Sequence, residues 1–377
     1  MKKSVRAAGV TRACGAMTAL GAVAGIAGAL LSPSAMAQSQ VTIYGLIDTG
    51  VEYVTHANAA GNSVVKMPSL TGSFPSRIGF KGTEDLGGGL QAMFVLEAGM
   101  AVDTGGMGQG NRLFGRQSYV GLKNATQSVM LGRQVNMTYL STLKSDVMGP
   151  NIHSIGNLDA YLPNARSDNA IGYLGTFSDV TVGATYSFGR DATAAGGPAS
   201  TNCAGETAGD SKACRQYTGL LGYDNKSFGV NLAYDKLNGG PNALLGLNNS
   251  SYTDTRIGLH GYFMLSDARI GLGVLDRKTQ TATKSDSDLY YLGLSYPFTV
   301  ALVLDTQISR LKFKGTANSA TLSVARLTYN LSKRTALYTS LGYIKNSGTS
   351  AIAVDAGGTV GTGMNQLGVM TGIRHTF

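Results

Sequence analysis

Apolar and polar residues alternate along most of the chain after residue 38. In the segment 41–53, VTIYGLIDTGVEY, the two kinds of residue fall on opposite faces of an extended strand. The apolar face carries Val41, Ile43, Ile47 and Val51, and the polar face carries Thr42, Tyr44, Asp48 and Glu52. A period of two residues predicts a β-strand with one face in an apolar environment and the other in a polar one.

The same alternation continues to the end of the chain in short segments, and helical periodicity is hard to find. We predict about sixteen strands, at 41–53, 76–84, 89–98, 113–123, 127–135, 169–177, 179–189, 216–225, 228–237, 253–265, 268–278, 287–298, 299–313, 319–331, 334–345 and 364–377. Their connections alternate between short turns such as KNAT and long segments rich in Gly, Asn and Ser, the longest being 136–168. Alternating connection lengths predict an up-and-down antiparallel meander.

A soluble β-sandwich also has alternating strands, so three further features decide the fold class. About sixteen meander strands are too many for one open sheet, and strands of about ten residues match a bilayer when tilted. The polar face is also too charged for a packed core, because it carries Asp48, Arg77, Lys81, Arg326 and Arg374. The sequence therefore predicts an all-β transmembrane barrel whose lumen, lined by these residues and Tyr44, holds water.

The N-terminus has the pattern of a secretory signal peptide. Basic residues at Lys2, Lys3, Arg6 and Arg12 precede an apolar stretch, 15–31, and a cleavage site at Ala35-Met36-Ala37. A membrane anchor is the alternative, but the stretch is short and rich in Ala and Gly. We expect residues 1–37 to be removed and 38–377 to form the barrel domain.

Charge and cysteine content narrow the function classes. The leader contributes four of the nine excess positive charges, so the remainder is too dilute for a nucleic-acid-binding protein. Cys203 and Cys214 lie in one Gly- and Ser-rich stretch, which in an exported protein predicts a loop disulfide, with two free thiols as the alternative. The four histidines are scattered and do not complete a metal site with them, so no metal or cofactor is predicted.

Several stretches together resemble the general diffusion porins of the Gram-negative outer membrane, most closely the β-proteobacterial type. They are VTIYGLIDTGVEY at the mature start, SRIGFKGTEDLGGGLQAMFVLE at 76–97, RQSYVGLKN and VMLGRQ within 116–134, RSDNAIGY at 166–173, YNLSKRTALY at 329–338, and the ending GIRHTF. They cover the mature chain in the order of the family.

The resemblance implies a homotrimer of sixteen-stranded barrels, each with a long third loop, here 136–168, folded into its lumen. It also implies that wall arginines face acidic residues of that loop. The matching wall positions are Arg77, Arg116 and Arg133, with Arg166 and Arg112 as neighbours, and the loop supplies Asp146 and Asp159 beside Lys144. The acidic loop motif of enterobacterial members is missing. Phe377 matches the C-terminal signal that the barrel assembly machinery recognises, and the surrounding partners would be outer-membrane lipid and lipopolysaccharide.

These residues predict a passive channel for small hydrophilic solutes with a weak to moderate preference for anions. Neutralisation of each arginine by Asp146, Glu97 or Asp48 would instead leave little selectivity. Arg310 and Lys312 lie toward the loop end of an outward face, where they either bind phosphorylated lipid head groups or are plain solvated charges.

Two other function classes stay open at this point. The chain could act mainly as an adhesin or receptor through its long loops, or, less readily, as an outer-membrane hydrolase. No serine lies in a nucleophile-elbow context, and GGMGQG at 105–110 lacks the Lys-Ser/Thr of a phosphate loop.

The hairpin 113–136 departs from clean alternation. Val120 and Leu131 share a face with Arg116 and Arg133, respectively, if the period of two holds throughout. If the early strands form the trimer contact, as in the family, their outer face need not be lipid-like.

Overall fold

The computed structural model describes residues 40–69 and 71–377, and the predicted signal peptide lies outside the described residues. The described chain forms one antiparallel sheet. Its strands are β1 Gln40–Val54, β2 Val64–Lys66, β3 Arg77–Gly87, β4 Leu90–Gly99, β5 Gln117–Lys123, β6 Gln127–Val135, β7 Arg166–Phe177, β8 Val180–Ser187, β9 Gln216–Asp224, β10 Phe228–Asn238, β11 Thr253–Leu265, β12 Ala268–Gln280, β13 Lys284–Pro297, β14 Leu302–Phe313, β15 Ser319–Asn330, β16 Thr335–Ser347 and β17 Gln366–Thr376. Short helical turns occupy Gly108–Asn111, Met137–Thr142, Ile155–Asn157 and Leu162–Asn164.

The sheet closes on itself at β1. Asp48 of β1 lies opposite Arg374 of β17, and Ile43 at the other end of β1 lies opposite Phe80 of β3. Each long strand of the described chain therefore has a neighbour on both sides, which removes the open edges of the sheet. The predicted sixteen-stranded antiparallel barrel is confirmed; β2, a three-residue strand paired with β1, is the unpredicted addition.

The burial pattern is inverted relative to a soluble protein. On β1 the apolar residues Val41 and Ile43 are 61% and 60% exposed, whereas Asp48 and Glu52 are 1% and 0% exposed. The apolar face thus points away from the barrel and the polar face into it, as the alternation predicts. The Tyr44 hydroxyl also turns into the lumen, toward Glu97, as the alternation on β1 predicts.

The two ends of the barrel differ in the length of their connections. Turns at one end are short, as at 266–267 and 298–301, while most connections at the other end are long, as at 188–215 and 348–365. In outer-membrane barrels the short turns face the periplasm and the long loops face outward. No helix in the described ranges is long and apolar enough to cross a membrane.

The third loop begins at Asn136 and ends before Arg166, because the last three residues of the predicted range 136–168 already belong to β7. The side chain of Asn136 caps the helix Met137–Thr142 by accepting from the Thr138 amide. Thr138 Oγ1 donates to Asp235 of β10 over 2.8 Å, and Asn151 Nδ2 lies 3.3 Å from Ser340 of β16. Such contacts with inward-facing residues of distant strands are those expected of a loop folded into the lumen.

An apolar cluster attaches the second half of the third loop to the wall. The loop contributes Val147, Met148, Ile155, Leu158 and Leu162, and the inner face of the wall contributes Leu275, Leu289, Leu311, Leu322 and Ile344. Burying one such side chain stabilises the packed state by about 1.5–3 kcal/mol. The third loop is therefore held against the inner face of β12–β16, which leaves open space between the loop and the early strands.

Candidate functional site

Three side chains converge on Glu97, near the C-terminal end of β4. Together they form the Glu97 cluster (Tyr44, Arg77, Glu97, Arg116). Arg116 Nε donates to Glu97 Oε1 over 2.6 Å, and Arg77 Nε lies 3.7 Å from Oε2. The Tyr44 hydroxyl donates to the same Oε2 over 2.9 Å. Strand register produces this convergence, since Tyr44 and Glu97 both lie opposite Gly79. One carboxylate thus serves two guanidinium groups.

A second cluster forms around Asp168 at the start of β7 (the Asp168 cluster: Arg112, Arg133, Asp168, Asp191). Arg133 Nη1 contacts Asp168 Oδ1, and Arg112 Nη1 lies 3.2 Å from Asp168 Oδ2. Arg112 Nη2 also pairs with Asp191 at 2.9 Å. Two carboxylates meet two arginines here, so this cluster is close to neutral.

A β-bulge explains how Arg133 enters the lumen although Leu131 shares its parity. The pairing of β6 with β7 shifts register between Gly132 and Gln134, and Gly132 has φ +127°, a conformation that favours glycine. Leu131 stays outside and exposed, while Arg133 turns inward and donates from Nε to the Gly115 carbonyl over 2.7 Å. The bulge is the reason that strict alternation failed at this point.

Arg116 reaches the lumen by a different route, because it precedes the strand. β5 begins at Gln117, later than the predicted 113, and the chain before it bends toward Glu97. The Arg116 amide donates to the Glu97 carbonyl over 3.0 Å, which fixes the bend. Val120 then lies outside in the ordinary alternation of β5 and is exposed.

Two further arginines contribute positive charge without a carboxylate contact in the described part of the chain. Arg166 is buried, its Nη1 lies 3.4 Å from Asn164 Oδ1, and its Nε has no hydrogen-bond partner among the described residues. The Nε of Arg269, on β12, is likewise buried and unpartnered in the described residues. Arg269 was not singled out in the sequence, where it lies beside a short turn.

The charged residues of the third loop do not pair with Arg77, Arg116 or Arg133. Asp146 accepts from Gln307 Nε2 over 3.0 Å. Asp159 accepts from Arg256 Nε over 2.9 Å. Lys144 pairs with Asp224 at the periplasmic end of β9, 2.7 Å away, instead of lying beside the loop acids. The expected pairing of wall arginines with loop acids is therefore wrong in its partners: the carboxylates that contact those arginines come from β4 and β7.

The environments of the two loop acids shift their pKa values in opposite directions. Burial raises the pKa of Asp146 to about 6, although hydrogen bonds from Gln307 and from backbone amides oppose the shift. Burial also acts to raise the pKa of Asp159, but the positive charges of Arg256 and Arg277 outweigh it and lower the pKa. The Lys144 pKa is raised by its hydrogen bond to Asp224.

A cavity of about 350 Å³ lies between the third loop and the early strands. Its charged lining consists of Arg77, Arg116 and Arg269 against Glu97 and Asp146. Three guanidinium groups face two carboxyl groups, so the cavity carries excess positive charge even when both acids are ionised. We refer to this cavity, where Arg77 and Arg116 lie with Glu97 and Asp146, as the constriction.

The opposite wall holds a charged group that sequence reasoning missed. The Tyr161 ring is stacked between the guanidinium groups of Arg190 and Arg256, 4.4 and 4.6 Å from its centre. Arg256 Nη1 also pairs with Asp254 at 2.7 Å, and Arg277 Nε pairs with Asp254 at 3.0 Å. Alternation on β11 already placed Asp254 and Arg256 on the polar face, and that signal was available in the sequence.

The remaining predicted lumen residues occupy the inner wall. Asp48 accepts from the Ser73 hydroxyl over 2.6 Å, and Arg326 Nη2 pairs with Asp305 at 2.8 Å. Arg374 lies over the Phe74 ring at 4.9 Å, while Lys81 is exposed with its Nζ 5.2 Å from the centre of the Tyr44 ring. The segment 71–76 thus ties β1, β15 and β17 together below the third loop.

The predicted disulfide between Cys203 and Cys214 is present. Both cysteines are buried with Leu237 and Leu247, so the bond anchors the long external loop 188–215 to the base of the next loop. At the other end of the barrel, the Phe377 backbone exchanges two hydrogen bonds of 3.1 Å with Gly45, which ties the C-terminus to β1.

Comparisons with known proteins agree with this architecture. A family model described as Gram-negative porin matches residues 17–349. Outer membrane porin protein 32 of Delftia acidovorans is 32% identical over 369 residues, covering 92% of this chain and 96% of that protein. An outer membrane porin protein of Bordetella pertussis is 32% identical over 403 residues, covering 94% of this chain and 97% of that protein.

Solved structures agree in fold. The anion-selective porin from Comamonas acidovorans superposes with a TM-score of 0.73 at 29% identity, covering 90% of this chain and all of that one. OmpT of Vibrio cholerae superposes with a TM-score of 0.62 at 14% identity, covering 90% of this chain and 98% of that one, which shows the fold alone. The chain therefore belongs to the Gram-negative porin family, and it forms an outer-membrane channel for the passive diffusion of small hydrophilic solutes.

Proposed function

We propose that the channel prefers anions weakly to moderately, and that the constriction beside Glu97 sets this preference. The carrying observation is that Glu97 serves both Arg116, at 2.6 Å, and Arg77, at 3.7 Å. One carboxylate cannot neutralise two guanidinium groups, and arginine stays charged at any working pH. Arg269 adds a further positive charge to the same cavity. The printed description of the Comamonas acidovorans protein as anion-selective supports the proposal.

The proposed constriction wall contains Arg77, Arg116, Arg133, Arg166 and Arg112, but their contributions differ. The Asp168 cluster pairs Arg112 and Arg133 with two carboxylates, which reduces their net field. Arg77 and Arg116 share one carboxylate, so they dominate at the passage. Fixed charges along a narrow, low-dielectric passage raise the local concentration of counter-ions, more strongly at low salt.

Zero-current potentials in a KCl gradient test the proposal on the refolded protein in planar bilayers. Arg77→Gln and Arg116→Gln should each lower the anion/cation permeability ratio roughly two- to five-fold, the effect of about 0.4–1 kcal/mol of lost attraction. Arg133→Gln should have the smaller effect. Lys333→Gln, in the periplasmic turn outside the lumen, is the matched control. An unchanged ratio in both the Arg77 and Arg116 variants would contradict the assignment.

The same measurement addresses the adhesin alternative. A barrel that acts only as a receptor would conduct poorly through a lumen closed by its loop. Stepwise ohmic conductance of the wild type supports the channel, whereas silent insertion would favour the receptor function. Conductance thus separates these two classes before any ligand of the loops is known.

A hydrolase remains the least supported alternative. Ser340 Oγ lies 3.0 Å from His153 Nδ1, and His153 Nε2 lies 3.0 Å from Glu52 Oε1, a constellation of the residue types used in nucleophilic catalysis. All three side chains are completely buried where the third loop, which carries His153, contacts the wall, so no substrate reaches the hydroxyl. We propose that they attach the loop to the wall. Ester hydrolysis by the wild type that Ser340→Ala abolishes would overturn this assignment.

We further propose a homotrimer whose contact involves the early strands. The outward residues Val120, Leu122 and Leu131 of the β5–β6 hairpin form an exposed apolar surface. An OmpT structure of Vibrio cholerae described as a trimer form supports the proposal. Analytical ultracentrifugation of the refolded protein should give three chains per particle, and Val120→Arg with Leu131→Arg should give monomers.

Assembly and export complete the proposal. We propose that residues 1–37 are cleaved and that Phe377 is the signal read by the barrel assembly machinery. Deleting Phe377 removes the exposed terminal ring beside Gly45 while leaving β17 intact. Lower outer-membrane abundance of the deletion variant, together with normal refolding of the same variant in detergent, would separate recognition from stability.

A further inference from the structure

A second cavity, of about 300 Å³, lies between the third loop and the long external connection 348–365. The third loop supplies Asn151 and Asn157 to its lining, and the connection 348–365 supplies Asp355. We call it the outer cavity. Pro150 and Pro163 line both the outer cavity and the constriction, so the two cavities are neighbours along the third loop.

Three side-chain oxygens of the outer cavity have no hydrogen-bond partner within the described chain. They are Asn151 Oδ1, Asn157 Oδ1 and Asp355 Oδ1, and each oxygen atom is buried. Asn151 and Asp355 are only 2% exposed as whole residues. Leaving a buried acceptor without a partner is costly, so three such oxygens around one cavity point to a bound group that they contact.

The orientation of both amides is fixed by their nitrogen atoms. Asn157 Nδ2 donates to the Ile152 carbonyl over 2.9 Å and also to the Val354 carbonyl. Asn151 Nδ2 donates to the His153 carbonyl over 3.1 Å. Turning either amide over would bring its oxygen against a carbonyl oxygen. These two residues therefore present acceptors to the cavity, and not donors.

Backbone contacts hold the two segments that carry these oxygens against each other. The Ile152 carbonyl accepts from the Ala356 amide over 3.2 Å as well as from Asn157 Nδ2. Asp355 thus lies between Val354 and Ala356, both of which are hydrogen-bonded to the third loop. The three oxygens, far apart in sequence, are brought to one cavity by this packing.

The charged groups beside the outer cavity carry an excess of negative charge. Lys66 Nζ contacts Asp355 Oδ2 and lies 3.7 Å from Glu52 Oε2, so one ammonium group serves two carboxylates. His153 Nε2 lies 3.0 Å from the other oxygen of Glu52, and in its neutral form it leaves one negative charge in excess. Negative charge together with acceptor oxygens favours a cation over a neutral hydroxyl donor.

We propose that the outer cavity binds a calcium ion through Asp355 Oδ1, Asn151 Oδ1 and Asn157 Oδ1. Calcium takes roughly six to eight oxygen ligands, which include carboxylates, amide carbonyls and waters, in a flexible geometry. The cavity has room for the waters that complete such a shell. Magnesium demands a smaller, near-ideal octahedron and loses water reluctantly, so it fits this set less well.

The bound ion joins the connection 348–365 to the third loop and adds positive charge beside the constriction. It is a site separate from the Glu97 cluster, so it does not depend on which residues set the ion preference of the pore. The sequence predicted no metal site because its histidines and cysteines are scattered. The oxygen ligands come from Asn and Asp residues that only loop packing brings together.

Isothermal titration calorimetry with CaCl2 tests the proposal on the refolded protein in a non-ionic detergent without lipopolysaccharide. The wild type should bind about one ion per chain with a Kd of about 10⁻⁴–10⁻³ M, the range of extracellular calcium sites. Asp355→Asn should weaken binding at least about ten-fold, because it removes the charged ligand. Lys66→Gln should strengthen binding about five-fold, because it removes the competing ammonium group.

Asp103→Asn is the matched control, since it removes an exposed carboxylate between β4 and β5 and should leave calcium binding unchanged. Equal weakening in Asp355→Asn and Asp103→Asn would mean general surface attraction and would overturn the site. Heat from glucose but not from CaCl2 would mean that the oxygens take a neutral hydroxyl donor. If Asp355→Asn does not refold, Lys66→Gln decides alone, and calcium binding that it fails to strengthen contradicts the proposal.

Discussion

Arg116 Nε donates to Glu97 Oε1 over 2.6 Å, while the second oxygen of the same carboxylate lies 3.7 Å from Arg77 Nε. The pair joins the end of β4 to the segment before β5, and both side chains are buried at the edge of the constriction. Glu97 is therefore the one carboxylate that partly neutralises both Arg116 and Arg77. Its removal is therefore the most direct way to change the field in the passage.

Glu97→Gln should raise the anion/cation permeability ratio. The amide keeps the shape and the hydrogen bond from Tyr44 but removes the charge, which corresponds to roughly a two- to five-fold rise at moderate salt. Zero-current potentials in a KCl gradient measure the ratio. Asp288→Asn, which removes a carboxylate from the outer face, should leave it unchanged. An unchanged ratio for Glu97→Gln would show that Glu97 is not part of the conducting passage.

Anion preference should increase as the pH falls from 8 to 5. Burial raises the pKa of Asp146 to about 6, so the loop carboxyl becomes neutral in this window and the constriction gains net positive charge. The pKa of Asp146 in the folded protein lies above the ordinary value of 3.8, so the protonated carboxyl stabilises the packed loop. This stabilisation is complete when the pH is below 3.8. The contribution is lost as the pH rises through about 6.

Asp146→Asn should abolish that pH dependence. At pH 8 the variant should show the anion/cation permeability ratio that the wild type shows at pH 5. Asp159→Asn is the informative comparison, because its pKa is lowered and the carboxyl stays ionised throughout the window. An identical pH response in the wild type and Asp146→Asn would assign the titration to another group.

Gly132→Ala should destabilise the barrel and weaken the contribution of Arg133. A Cβ at this position would lie 2.3 Å from the Ser118 carbonyl oxygen, and φ is +127°. Strain of this kind costs of order 1–3 kcal/mol, which a lower thermal unfolding temperature would register. Gly219→Ala is the matched control, because a Cβ there meets no atom within 4 Å. Equal stability of the two variants would mean that the bulge relaxes freely.

Reduction of the Cys203–Cys214 bond should loosen the external loop 188–215. The bond closes a short loop, and cross-links of this size restrict the unfolded chain by about 3 kcal/mol. Cys203→Ser with Cys214→Ser should therefore be cleaved faster by protease within the loop. The anion/cation permeability ratio should change less than in Arg77→Gln, because the loop contributes Asp191 to the Asp168 cluster but no residue to the lining of the constriction. An equal or larger change would contradict this prediction.

Local patterning along the chain was enough to predict the strands and their faces. A period of two residues assigns each side chain of β1 or β14 to one side of the wall whatever the neighbours are, and alternating connection lengths give the order of the meander. The disulfide followed from the only two cysteines of the predicted mature chain. The set of lumen residues, including Asp48, Arg326 and Arg374, needed no knowledge of the third dimension.

Which charges pair was decided by the tertiary structure alone. Asp146 meets Gln307 across 161 positions of sequence, and Arg256 meets Asp159 across 97, because the third loop packs its apolar residues against β12–β16 and turns its acids to that side. The bulge at Gly132 likewise depends on the register of two strands. Alternation determines on which side of the wall a residue stands, but register and loop packing determine what it faces, since those contacts join residues that no local pattern relates.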